Sequence, residues 1–124
     1  MTVEWLLPDD LTAAQAARGH VVDALAGDQL ADDVVHDLVL IASELAANAV
    51  RHGSPPARLR LDRHDSSVRI TVSNHGDGPD PRILTAEPGA DHGRGLAMVE
   101  QLADNVGWER RGDRLDVWAE VALS

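Results

Sequence analysis

Leu40-Ile41-Ala42-Ser43-Glu44-Leu45-Ala46-Ala47-Asn48-Ala49-Val50-Arg51-His52-Gly53 is the stretch on which the reading of this chain turns. Leading into it and through it, Val34, Leu38, Ile41, Leu45 and Ala49 recur at steps of three and four, the spacing of a helix that buries one face. Glu44 and Asn48, four apart, project from neighbouring turns in one direction, and Arg51 follows on that side. A carboxylate, an amide and a guanidinium thus line one groove edge. Such a pair is usually the solvated flank of an amphipathic helix. Asn is a mediocre helix former, however, and here it sits mid-helix between alanines that leave room for a ligand above the backbone.

Composition narrows the function classes. A chain of 124 residues is expected to be one domain with a real core. It has no Cys, so disulfides and thiolate metal sites are excluded; no signal-peptide pattern is read at its start, and a cytoplasmic protein is expected. No apolar run is long enough to cross a membrane. A formal charge of −10 argues against nucleic acid, whose phosphates call for clustered cations, and points to proteins or small ligands as partners. Every basic residue apart from His is Arg, which removes mechanisms that need a Walker, kinase or Schiff-base lysine.

The flanking segments supply the layers. Thr2 to Leu7 reads as an edge strand stopped by Pro8. Thr12 caps a helix reaching Ala26, with Ala14, Ala17, Val21, Val22 and Leu25 as its stripe and Arg18 as a lone cation on its polar face. The Asp residues between 28 and 37 fall near the start of the second helix, expected from Ala31 to His52, where carboxylates complement the dipole. Gly53 and Pro55-Pro56 stop that helix. Residues 57–63 and 68–73 alternate with period two and form a hairpin whose outer face holds Arg58, Arg60 and Arg69, as in a sheet covered by helices on one side. Strands at 105–110 and 114–121 close the chain, with Trp118 pointing away from the apolar face as a packing residue.

Between hairpin and last strands lies an irregular stretch from Asn74 to His92, too long for a simple connector. Its alternate glycines, Gly76 and Gly78, let a backbone pass close to a flat ligand. Gly93-Arg94-Gly95-Leu96 then turns from glycine-rich loop into helix, a place where exposed N–H groups and the helix dipole favour phosphate.

Three separated segments, in this order and spacing, together resemble the Bergerat-fold ATP-binding domain shared by histidine kinases, gyrase-type proteins and anti-sigma kinases. Residues 44–53 are similar to its N box, Asn74 to Gly78 to its first glycine box, and Gly93 to Leu96 to its second. The resemblance covers nearly the whole chain. It implies a single domain over 1–124: an α+β two-layer sandwich with a mixed, mostly antiparallel sheet of about five strands, covered on one face by three helices. Without a phosphoacceptor helix pair ahead of it, the chain most resembles stand-alone actinobacterial anti-sigma factor serine/threonine kinases, including Ala17-Arg18 and the terminal Val117-Trp118-Ala119-Glu120.

That resemblance implies ATP and Mg²⁺ as cofactors, with a sigma factor or an anti-anti-sigma protein as partner and a possible homodimer. It makes Asn48 the Mg²⁺ ligand and Glu44 the general base toward a substrate hydroxyl. Gly93, Arg94, Gly95 and Leu96 line the phosphates; Arg51, Asn74, Gly76 and Gly78 line the rest of the nucleotide site. One departure stands out: the family's first glycine box begins with Asp, and this chain has Asn74. An Asn accepts the adenine amino group without charge, so ATP binding weaker by roughly 1 kcal/mol is expected, with Asn74→Asp tightening it. Two other readings stay open: a degenerate module that binds partners without turnover, and an ATPase or kinase of another regulatory system.

Overall fold

The chain folds as β1 (Thr2–Leu6), α1 (Ala13–Leu25), α2 (Asp32–His52), β2 (Ser54–Arg63), β3 (Ser67–His75), α3 (Asp91–Leu102), β4 (Asn105–Arg111) and β5 (Arg114–Ala122). The structure is a computed structural model that describes residues 1–76 and 91–123, and of residues 91–95 the backbone alone. The five strands form one sheet in the order β1-β2-β3-β5-β4. Every pairing is antiparallel, so the sheet is more uniform than the mixed one expected. β1 takes the expected edge position.

Alternation along the strands sorts the two faces. Leu59 and Leu61 of β2, Val68, Ile70 and Val72 of β3, and Ala119 and Val121 of β5 are buried. Leu38, Ile41, Ala42 and Leu45 of α2 and Leu96 and Val99 of α3 join them in one core. α2 lies over β2, β3 and β5, with α1 on one flank and α3 on the other. The ring of Trp5 in β1 stacks on His20 of α1, centroids 4.8 Å apart, and ties the outer helix to the sheet edge.

The opposite face carries charge. Arg58 reaches Glu4 at 4.0 Å, Arg60 reaches Asp62 at 3.0 Å and Arg69 reaches Glu120 at 3.2 Å. Trp118 lies on this face beneath the Arg69 guanidinium, 4.1 Å from the ring centroid. Gly107 of β4 makes room for it, since a Cβ there would stand 2.3 Å from the indole. The packing reading of Trp118 therefore holds.

Several local expectations change. The buried stripe of α1 is Ala13, Ala17, Val21 and Leu25, a strict step of four; Ala14 is off it, and Val22 is 48% exposed. Val22 follows Val21 by one residue, about 100° around the helix, and so leaves the stripe. Thr12 is the N-cap but makes no side-chain cap bond. Its hydroxyl and its N–H instead both donate to the Asp10 carboxylate, which holds that carboxyl below its ordinary range. β2 begins at Ser54 rather than Ala57, with the register interrupted between Ser54 and Arg58, where the two prolines lack N–H donors.

Candidate functional site

α2 is long because its sequence satisfies both ends. Asp32 and Asp33 occupy its first turn, Arg51 and His52 its last, each complementing the dipole. Gly53 ends it, its N–H donating to the Ala49 carbonyl at 3.0 Å. The helix is buried between the flanking helices and the sheet, so polar residues on its inward side need partners.

Asn48 has none among the described residues. Its side chain lies inside at 8% exposure, and both Oδ1 and Nδ2 are shut off from solvent without a hydrogen-bond partner. Leaving a buried polar group unmatched costs about 1–3 kcal/mol, and native proteins keep few such groups. An external ligand that supplied the missing contacts would account for it. The amide oxygen is a hard donor of the kind that Mg²⁺ takes, and Mg²⁺ commonly uses one or two protein oxygens with phosphates and water completing its shell. Among the described residues no group of three or more His, Cys, Asp or Glu is arranged to hold a metal. The donor set at Asn48 thus fits a metal carried in with phosphates.

Glu44, one turn earlier, is half-buried beside this position. Its neighbour Ser43 is buried, and its hydroxyl accepts from the Arg18 guanidinium of α1 at 2.8 Å. Arg18, read as a lone cation, therefore bridges α1 to the turn that carries Glu44. Arg51 is exposed in the last turn, so it does not share the inward setting of Asn48.

Asn74 was expected to open the loop, but it belongs to β3. It continues the inward series Val68, Ile70, Val72 and is 5% exposed against α2. Its Nδ2 donates to the Ala49 carbonyl at 3.2 Å. Gly76 begins the loop at φ +96°, a conformation that favours glycine, and a Cβ there would stand 2.8 Å from the Ser54 hydroxyl. Its N–H donates to the Asp113 carbonyl at 2.9 Å and its carbonyl accepts from Arg110 at 3.0 Å, so the β4–β5 hairpin holds the loop entrance.

The remaining site residues divide. Gly78 lies outside the described residues. Gly93, Arg94 and Gly95 lie inside α3, which starts at Asp91, two residues before the expected junction. The first four N–H groups of a helix lack internal partners, so those of Gly93 and Arg94 still belong to the anion-attracting end. Leu96 is buried in the core beneath that end.

Sequence reading missed Gly53, Ser43 and Arg110 as contributors. Gly53 was assigned as the helix stop that closes the N-box stretch, with no contact to Asn74 foreseen. Its second role depends on Asn74, twenty-one positions away, and no local pattern signals such a contact.

At this end of the sheet the Asp116 carboxyl is set by opposing effects. Burial pushes it up, while hydrogen bonds from Arg114 and Ser73 and the charges of Arg114 and Arg111 bring it below its ordinary value.

The family description "Histidine kinase-like ATPase domain" matches residues 7–120. No curated protein sequence matches the chain. The fold is similar to the RsbU and RsbW domains of a Mycobacterium tuberculosis protein, at TM-score 0.76 and 21% identity, over 99% of this chain and 32% of that one. This chain therefore spans about a third of that protein. It is also similar to the SiaB–SiaC complex of Pseudomonas aeruginosa, at TM-score 0.69 and 12% identity, over 96% of this chain and 88% of that one. The histidine kinase AdeS of Acinetobacter baumannii shares the fold at TM-score 0.55 and 13% identity, over 98% and 68% of the two chains.

Proposed function

Since the chain belongs to the family of histidine kinase-like ATPase domains, we propose that it is an ATP-binding anti-sigma factor. In this reading it phosphorylates a serine or threonine of an anti-anti-sigma partner in the cytoplasm. The observation that carries it is the buried amide of Asn48, unmatched among the described residues and one turn from Glu44. The structural neighbours support the partner class: one is an RsbW domain beside RsbU, another is SiaB in complex with SiaC.

Each residue has a defined task. Asn48 Oδ1 would hold Mg²⁺, which neutralises charge on the phosphates. Glu44 accepts the proton of the attacking hydroxyl and orients it in line with the γ-phosphoryl group. The backbone N–H groups of Gly93 and Arg94, within the first four of α3, would bind phosphate oxygens, and Gly76 and Gly78 would let the chain lie close to the base. The bond from phosphorus to the β,γ-bridging oxygen breaks as the hydroxyl oxygen joins phosphorus, leaving ADP.

A second reading, a partner-binding module without turnover, is favoured by Asn74, whose amide nitrogen is engaged with Ala49. Calorimetric titration with ATP, with and without Mg²⁺, followed by phosphotransfer to a candidate partner, separates the two. Glu44→Ala is expected to keep Mg-ATP binding and lower transfer by about 10²–10⁴-fold, the usual contribution of a general base. Transfer undiminished in that variant removes Glu44 from the chemistry; binding without any transfer by the wild type selects the module.

A further inference from the structure

The contact between Asn74 and the end of α2 is built from three residues that lie apart in the chain. Asn74 Nδ2 donates to the Ala49 carbonyl at 3.2 Å, in a buried setting. Gly53 N–H donates to the same carbonyl at 3.0 Å. That carbonyl is among the last four of α2, which have no partner within the helix. A Cβ on Gly53 would stand 1.4 Å from Asn74 Nδ2 and 2.4 Å from its Cγ, so the notch that receives the amide exists only with glycine there. Ala49 follows Asn48 directly, and whatever fixes its carbonyl fixes the turn that carries Asn48.

We propose that Asn74 is a positioning residue: its amide nitrogen latches the last turn of α2 to β3, and the site depends on it as a donor. An aspartate has nearly the same size but no donor when ionised. Its oxygens would face the Ala49 carbonyl across about the same gap, buried and unmatched. The substitution that adds charge for a bound base therefore loosens the helix that carries the metal ligand. Only the nucleotide arm of the test rests on the function proposed above.

The experiment compares Asn74→Asp and Asn74→Ala with the wild type in the full chain. Thermal unfolding is followed without nucleotide at pH 8 and pH 5.5, and Mg-ATP binding by calorimetry at pH 8. Asn74→Asp is expected to lower Tm by about 5 °C or more at pH 8. That deficit should shrink at pH 5.5, because burial raises the introduced carboxyl and its protonated form donates to Ala49 O. The Asn74→Ala deficit should not depend on pH. His52, beside Gly53 in the chain, and His75, beside Asn74, are present in all three proteins and cancel in the comparison. Mg-ATP affinity of Asn74→Asp is expected to be equal or weaker.

A wild-type Tm at pH 8 for Asn74→Asp, or Mg-ATP binding about fivefold tighter, overturns the proposal. If that variant does not fold at pH 8, Asn74→Ala decides, and a wild-type Tm there overturns the latch. Should the wild type bind no ATP, the function proposed above fails, while the Tm comparison still decides the latch.

Discussion

Replacing Asn48 by Leu should make the free protein more stable and destroy its response to Mg-ATP. The wild-type side chain holds two buried polar atoms without partners among the described residues, and each unmatched group costs about 1–3 kcal/mol. Taking the low end for both gives about 2 kcal/mol regained by an apolar side chain of the same branched shape, and helix propensity adds a few tenths in the same direction. For a chain of this length that raises Tm by roughly 6–10 °C. Ligand binding reverses the order: at a hundredfold excess over Kd, Mg-ATP stabilises the wild type by about 2.7 kcal/mol and does nothing for a variant that cannot bind it. Scanning calorimetry of both proteins, with and without Mg-ATP, should therefore show the melting curves exchange places. An Asn48→Leu protein that melts at or below the wild type without nucleotide would mean that the amide is already satisfied. A variant that gains as much from Mg-ATP as the wild type would take Asn48 out of the site.

Other expectations follow from single contacts. Gly107→Ala places a methyl 2.3 Å from a ring that Arg69 covers on the same face; overpacking of this kind costs about 1–3 kcal/mol, read as a lower Tm and altered tryptophan fluorescence, and an unchanged Tm would show that Trp118 can move aside freely. Gly76→Ala meets both a positive φ and the Ser54 hydroxyl at 2.8 Å, so it should weaken ATP binding more than it lowers Tm; a loss confined to Tm would detach the loop entrance from the nucleotide. Asp116 has a lowered native value, so its stabilising contribution is complete above the unfolded carboxyl range near 3.8 and is lost as pH falls through the lowered value. Asp116→Asn should flatten the acid limb of stability against pH below about 4, and an acid limb identical to wild type would place the dependence elsewhere.

Periodicity made most of the fold legible. The steps of three and four in α2 and the alternation in β2, β3 and β5 each report which side of an element faces apolar surroundings, and one face per element is enough to stack two layers. What periodicity could not resolve was rotation by one residue. Val21 and Val22 are equally apolar, and only the position of α2 beside α1 decides that Val21 is buried while Val22 is exposed. Asn74 escaped for a related reason. Its polarity and the glycines after it signal a loop, whereas the strand continues to His75 because β5 pairs with it through Arg114. Tertiary pairing extended a strand that local propensity would have ended.

The positions where local rules fail are those assigned to the proposed site. Asn48 is a poor helix former placed inward just before the last turn of α2, Asn74 is a polar residue at the inward end of a strand's apolar series, and Gly93 and Gly95 weaken the first turns of α3. A chain under selection for stability alone would carry Leu, Val and Ala at such positions. Two of these departures meet the same turn of α2: the Ala49 carbonyl satisfies Asn74, and nothing among the described residues satisfies Asn48. The difference separates their roles. A buried amide with a protein partner is complete in the free molecule and serves the fold; in the function proposed above, the amide of Asn48 is completed by the ligand. The same residue type on adjacent elements therefore does opposite work, and substitution by an apolar side chain should stabilise at position 48 while destabilising at position 74.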